Sequence, residues 1–254
     1  MTEEDPEEKI ARLEAALREA EARMERQEEF FQMAVHDLRA PLSAIVVYSE
    51  LLMNRVLGDL EDRQVEQIGT IHRNCVQLIR MAEDVLASAQ VRAGKLDLDL
   101  QPVDLVAMAR DAVSALLGLA QAKNVAIEIV ESALPRVPAD LDKISRAFCN
   151  ILGNAIKFSP AGGTISVEFE LGSDAVTIAI TDDGPGISPE KRDLVFAKFQ
   201  RGEHGGEKGH GLGLTIARYF LDLHGGRILI DGRRNRGSTF LIGLPLLHQG
   251  RLTP

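Results

Sequence analysis

The chain has 254 residues, 45% hydrophobic and 26% charged, enough for one large or two modest packed domains. A net charge of −9 and a pI near 5.2 exclude nucleic acid as the main ligand, because phosphate-backbone binding needs a basic face. No apolar run approaches the roughly 18–20 residues of a membrane helix and the N-terminus is acidic, so no membrane segment and a cytoplasmic location are expected, alone or as part of a longer receptor.

From Ile10, apolar or small residues recur at Leu13, Leu17, Ala20, Met24, Phe31, Ala34 and Leu38 with spacings of three and four, Gln27 being the one polar entry in that register. This heptad pattern predicts a parallel coiled coil, residues 1–29 forming a signalling helix. The seam runs into FFQMAVHDLRAPL, Phe30–Leu42. At about 100° per residue, His36 lies nearly opposite the seam and points away from the packed face. Pro41 removes the hydrogen bond to the Asp37 carbonyl, which predicts a bend. The helix then continues to Leu57–Gly58, and a second helix carries Val65, Ile68, Ile71, Cys75, Leu78, Ala82, Val85 and Ala89 on one face. Two amphipathic helices joined by a short turn cannot bury both faces alone, so residues 30–94 are expected to form a dimeric four-helix bundle.

The composition changes after Ala93-Gly94, where residues 95–248 begin a second domain that ends before a short tail, 249–254. LDLDL, Leu96–Leu100, alternates as a strand. A helix (104–122), a strand (125–130), a loop bounded by Pro135 and Pro138 and a helix (140–158) follow. Strands at 164–171 and 175–181 precede a glycine-rich stretch, a helix (212–224) ended by Gly225-Gly226, and strands at 227–231 and 238–244. The pattern predicts an α+β sandwich with helices on one face of a mostly antiparallel sheet. Cys75 and Cys149 fall in apolar helical patterns without a metal-type cluster and are expected to pack in cores. His72 is expected on the solvent side of its helix, His224 at a helix end, and His204 and His248 in loop and tail.

Three clusters in the second domain suit a nucleotide. In NILGNAIKF, Asn150 and Asn154 share a helix face with Lys157 one step on, an amide oxygen for Mg²⁺ and an ammonium for phosphate. In DDGPGI, the Asp182 carboxylate only accepts hydrogen bonds, which matches the adenine amine, and Gly184 and Gly186 allow close approach. In GHGLGL, glycines open a helix whose N-terminal amides favour phosphate. The 21 residues between the last two clusters, 188–208, are expected to form a lid. Neither a P-loop nor a GxGxxG fingerprint occurs.

Together these stretches resemble the catalytic core of a sensor histidine kinase of two-component signalling. His36–Leu42 resembles the family's phosphoacceptor box, Asn150–Phe158 its asparagine box, Asp182–Gly186 its first glycine box, Phe196–Phe199 its phenylalanine box and Gly209–Gly213 its second glycine box, and Gly237–Phe240 resembles its closing turn. The resemblance implies autophosphorylation by ATP with Mg²⁺, a homodimer, and transfer to an aspartate on a response regulator receiver domain. It also implies His36 as nucleophile, Asp37 as the acid assisting its deprotonation and Arg39 beside them. Asn154 would hold the metal. Asn150, Lys157, Phe158, Asp182, Gly184, Gly186, Phe199, Gly209, Gly211, Leu212 and Gly213 would line the nucleotide. Two departures stand out. Ala40 occupies the position four after the histidine, where members with phosphatase activity usually carry threonine or asparagine, so weak phosphatase activity is expected. His210 stands where threonine is common. Related gyrase-type and chaperone-type ATPases carry a glutamate four before the metal asparagine, and here that position is Asn150, which disfavours hydrolysis.

Overall fold

The computed structural model describes residues 6–93, 97–196, 213–231 and 237–247, in two compact units, Met1–Leu96 and Asp97–Pro254.

The first unit is a hairpin of α1 (Pro6–Met53) and α2 (Asp62–Ala93). Pro41 lies inside α1 without ending it. The helix stops earlier than the sequence pattern indicates because Arg55 adopts φ 58° and Val56 N–H donates back to the Leu51 carbonyl. That is a Schellman closure with arginine in the left-handed position, where glycine is usual. The face that α1 turns to α2 differs from the seam expected to pair between chains. Val35 is 6% exposed and Leu38 53%, so the contact with α2 lies to one side of the Ala34–Leu38 register. Side chains of the earlier seam positions lie outside the described residues. Cys75 is buried on α2. His72 is half-buried rather than solvated, with Nδ1 3.0 Å from Ser49 Oγ on α1 and Nε2 3.8 Å from Glu50.

The second unit is a five-stranded sheet in the order β2-β4-β5-β7-β6, made of β2 (Ala126–Val130), β4 (Thr164–Leu171), β5 (Ala175–Thr181), β6 (Arg227–Asp231) and β7 (Thr239–Pro245). Among the described residues, only the β2–β4 pair of this sheet is parallel. Alternating burial along β4 and β5 turns Ile165, Val167, Val176, Ile178 and Ile180 inward. Three helices cover the sheet: α3 (Leu105–Ala122) against β2, α4 (Leu141–Phe158) against β5, and α5 (Gly213–Leu223) against β6 and β7. Burying one such aliphatic side chain stabilises the fold by about 1.5–3 kcal/mol.

Residues 97–100 form no strand, correcting the expectation for LDLDL. They alternate exposed and half-buried but have no ladder partner. The strand is β1 (Gln101–Val103), paired antiparallel with β3 (Val137–Ala139) in the stretch expected to be a proline-bounded loop. α3 is long and apolar enough by length and composition to cross a membrane, yet its inner face, Leu105 to Ala120, is buried in this unit.

α4 positions the asparagines. Asp140 caps it, Oδ1 accepting from Lys143 N–H at 3.1 Å and Oδ2 from Asp99 N–H at 3.1 Å, and it pairs with the Lys143 ammonium. Burial pulls the Asp140 carboxyl pKa up, but these donors and the lysine charge outweigh it, and the pKa ends below the ordinary value. Residues Ile144, Ala147, Phe148, Ile151, Leu152, Ala155 and Ile156 form the buried stripe, which leaves Asn150, Asn154 and Lys157 outside it. The buried His224 ties the end of α5 to this cap: Nε2 accepts from Asp140 N–H at 2.9 Å and Nδ1 donates to the Phe220 carbonyl at 2.6 Å. His224 is therefore structural, as expected.

Candidate functional site

His36 stands in mid-α1 with its side chain 83% exposed, as the helical phase predicts, and Nδ1 is 3.4 Å from Asp37 Oδ1. With Nδ1–H turned to that carboxylate, the lone pair resides on Nε2, the ring's outer nitrogen. Arg39 reaches across the hairpin, and its guanidinium donates to Glu83 on α2 at 2.5 Å. Ala40 is exposed.

In the second unit, contacts bring residues of all three sequence clusters together. Asn150 Nδ2 donates to the Gly213 carbonyl at 3.1 Å, joining the asparagine helix to the start of α5. A Cβ on Gly184 would lie 3.0 Å from the Phe158 carbonyl oxygen, so the first glycine turn packs on the end of α4. Asn154 is half-buried and Phe158 exposed. The Lys157 ammonium lies 5.1 Å from the Phe158 ring centroid, and the Lys157 carbonyl accepts from the Lys123 ammonium. Cys149 is half-buried.

Asp182 ends β5 and is 3% exposed. Its Oδ1 accepts from Gly184 N–H at 2.8 Å and Ser238 N–H at 3.2 Å, which leaves Oδ2 for a ligand amine. Burial pushes the Asp182 carboxyl pKa up, opposed by the two backbone donors and reinforced by the Asp183 charge. The turn is clamped from the far side: Asp182 N–H donates to the Ser238 carbonyl, and Gly237 N–H to the Gly184 carbonyl. Beneath it the Thr181 and Thr239 hydroxyls meet at 3.0 Å. A cleft of about 390 Å³ beside this turn is lined by Gly186, Ile187, Arg192, Ile230, Asp231 and Ser238 among others.

Ser238 and Thr239 do not figure among the expected site residues. Their signal is the Gly-Ser-Thr sequence opening β7, legible as a turn but not as the anchor of a carboxylate 56 positions away. Phe199, Gly209, His210, Gly211 and Leu212 lie outside the described residues, as does most of the expected lid.

A helical hairpin with an outward imidazole, in one chain with a second unit built around a buried aspartate, glycine turns and an asparagine helix, defines the class of ATP-dependent phosphotransfer proteins. Residues 26–94 match the family model of the His Kinase A (phospho-acceptor) domain. Residues 139–248 match that of the Histidine kinase-, DNA gyrase B-, and HSP90-like ATPase. The histidine protein kinase DivJ of Caulobacter vibrioides is 31% identical over 92% of this chain and 40% of its own length. The adaptive-response sensory kinase SasA of a Synechococcus species is 31% identical over 91% of this chain and 63% of its own. The crystal structure of full-length ShkA in complex with AMPPNP superposes with a TM-score of 0.69 at 27% identity, covering 87% of this chain and 46% of that one. The chain belongs to the sensor histidine kinases of two-component signalling and carries their catalytic core. It spans less than two thirds of the length of these relatives.

Proposed function

We propose that the chain takes the γ-phosphoryl group of ATP onto His36 Nε2 and passes it to an aspartate on a response regulator receiver domain. The observation that carries this reading is the exposed imidazole whose Nδ1 faces Asp37. Nε2 attacks the terminal phosphorus, the bond to the bridging oxygen breaks, and ADP departs with that electron pair. Positive charge developing on the ring is relieved when the Nδ1 proton passes to the Asp37 carboxylate. Asp182 Oδ2 reads the adenine amine, Gly184 and Gly186 admit the ring, and Phe158 flanks it. Asn150, Lys157 and Gly213 lie toward the phosphates, with Phe199, Gly209, Gly211 and Leu212 completing the site. Arg39 belongs to the phosphoacceptor face.

Among the described residues no three His, Cys, Asp or Glu side chains cluster as a metal site. The half-buried Asn154 amide fits an ion that brings most of its shell as water and substrate phosphate, as Mg²⁺ does. Mg²⁺ held there would neutralise phosphate charge. On this reading residues 1–29 relay the input, 30–94 dimerise and accept the phosphoryl group, and 95–248 bind nucleotide, all in the cytoplasm where ATP resides. Ala40 offers only a methyl group next to the phosphoacceptor and cannot orient water, so regulator dephosphorylation is weak.

The test is incubation with γ-labelled ATP and Mg²⁺. The unaltered chain takes up acid-labile, base-stable label and His36→Gln takes up none. Equal labelling of His36→Gln overturns the assignment.

A further inference from the structure

Arg39 is three residues beyond His36 on α1, so the two side chains share a face, with Cβ atoms about 5–6 Å apart. Its guanidinium is engaged by Glu83 of α2 at 2.5 Å, the side chains being 54% and 28% exposed. This pair crosses the hairpin beside the imidazole. We propose, resting on His36 as the phosphoacceptor, that Glu83 is a positioning residue that holds Arg39 while the imidazole is unmodified and releases it to the phosphoryl group afterwards.

The argument is one of competing acceptors. A phosphoryl group on Nε2 brings a charge of about −2 and three acceptor oxygens within one helical step of Arg39. A guanidinium fork matches such oxygens in two-point geometry, and the Glu83 carboxylate offers a single negative charge. The exchange needs only side-chain rotation, because both residues are partly exposed and the pair is not sealed in a core. Glu83 therefore favours the unphosphorylated form, and phosphorylation loosens one tie between α1 and α2 on the reactive face.

The experiment reads the fraction of full-length chain carrying label at a fixed ATP:ADP ratio with Mg²⁺, for the unaltered chain, Glu83→Gln, Arg39→Ala and the double variant. Removing the competing carboxylate should shift the equilibrium toward the phosphorylated chain by about two- to fivefold, the range of one exposed ion pair. In the Arg39→Ala background the Glu83→Gln shift should be lost. An equal shift in both backgrounds would mean that Glu83 acts by direct repulsion and would overturn the proposal. So would a change in thermal stability alone with no shift in equilibrium. An unaltered chain that takes up no label would sink the phosphoacceptor reading and this inference with it, whereas labelled chains with identical equilibria sink this inference only.

Discussion

Gly237 sits at φ +79°, and a Cβ there would lie 2.0 Å from the Asp182 carbonyl oxygen. Both facts act on the turn that fixes the carboxylate proposed to read adenine, since Gly237 N–H and Ser238 N–H are its anchors. Gly237→Ala should therefore lower nucleotide affinity and cost at least about 1–2 kcal/mol of stability, from the left-handed backbone and the clash. A Cβ added to Gly118 in α3 would meet nothing within 4 Å, so Gly118→Ala should gain about 0.5–1 kcal/mol. Denaturation of both variants checks the contrast. Asp182 gives a pH prediction. Its folded pKa is raised, first by burial, so the protonated form is favoured in the fold. Its contribution to stability falls as pH rises from the ordinary aspartate value, about 3.9, through the raised one. The adenine recognition proposed for Asp182 needs the ionised oxygen and runs the other way. Calorimetric affinity for an ATP analogue should decline on acidification with a midpoint above the ordinary aspartate value, and Asp182→Asn should abolish binding.

Among the elements, α4 depends most on one residue. Asp140 is 4% exposed and meets the amides of Lys143 and Asp99 and the Lys143 ammonium. Asp140→Ala should cost about 2–4 kcal/mol, a lost cap plus a buried donor left unpaired, while Asp142→Ala on the exposed first turn should stay within about 0.5 kcal/mol. The Asp140 carboxyl has a lowered pKa, so its stabilisation holds above the ordinary aspartate value and is lost as pH falls through the lowered one. Urea titrations at neutral and acid pH read both effects. The periodic elements were legible in the sequence: alternating β-branched residues set β4, β5 and β6 at the expected bounds, and the i, i+3, i+4 stripe set α4. β1 and β3 were not, because three-residue strands containing Pro102 and Pro138 exist only through each other. The end of α1 was not, because nothing local marks Arg55 for the left-handed region. Within the site, Asp182 and Asn150 were readable by type and order. Their partners Ser238 and Gly213, 56 and 63 positions away, follow from strand pairing and helix packing that no local pattern encodes.

For the molecule as a whole, the hairpin leaves apolar side chains that its own two helices do not cover. Leu38 and Ile45 on α1 are 53% and 42% exposed, and Ile71, Leu78 and Val85 on α2 are 52%, 48% and 38% exposed. Each set repeats every seven residues, so each forms a stripe along its helix, displaced from the Val35 and Cys75 positions where α1 and α2 meet. Taking the helical phase at about 100° per residue, both stripes fall on the side of the hairpin opposite His36, Arg39 and Glu83. A second copy can cover the stripes and leave the reactive face open, which is the four-helix bundle proposed for residues 30–94. Leu78 lies in the middle of its stripe. Replacing it with glutamate loses roughly 1.5 kcal/mol or more of burial in each chain and places two charges in the seam. The dimer dissociation constant should rise by about a hundredfold or more, read by sedimentation equilibrium. His36 labelling should fall only if the acceptor histidine is reached from the partner chain. Leu117→Glu, at an exposed apolar site on α3, should leave the dimer intact. An unaltered chain that sediments as a monomer at micromolar concentration would remove the bundle from the mechanism.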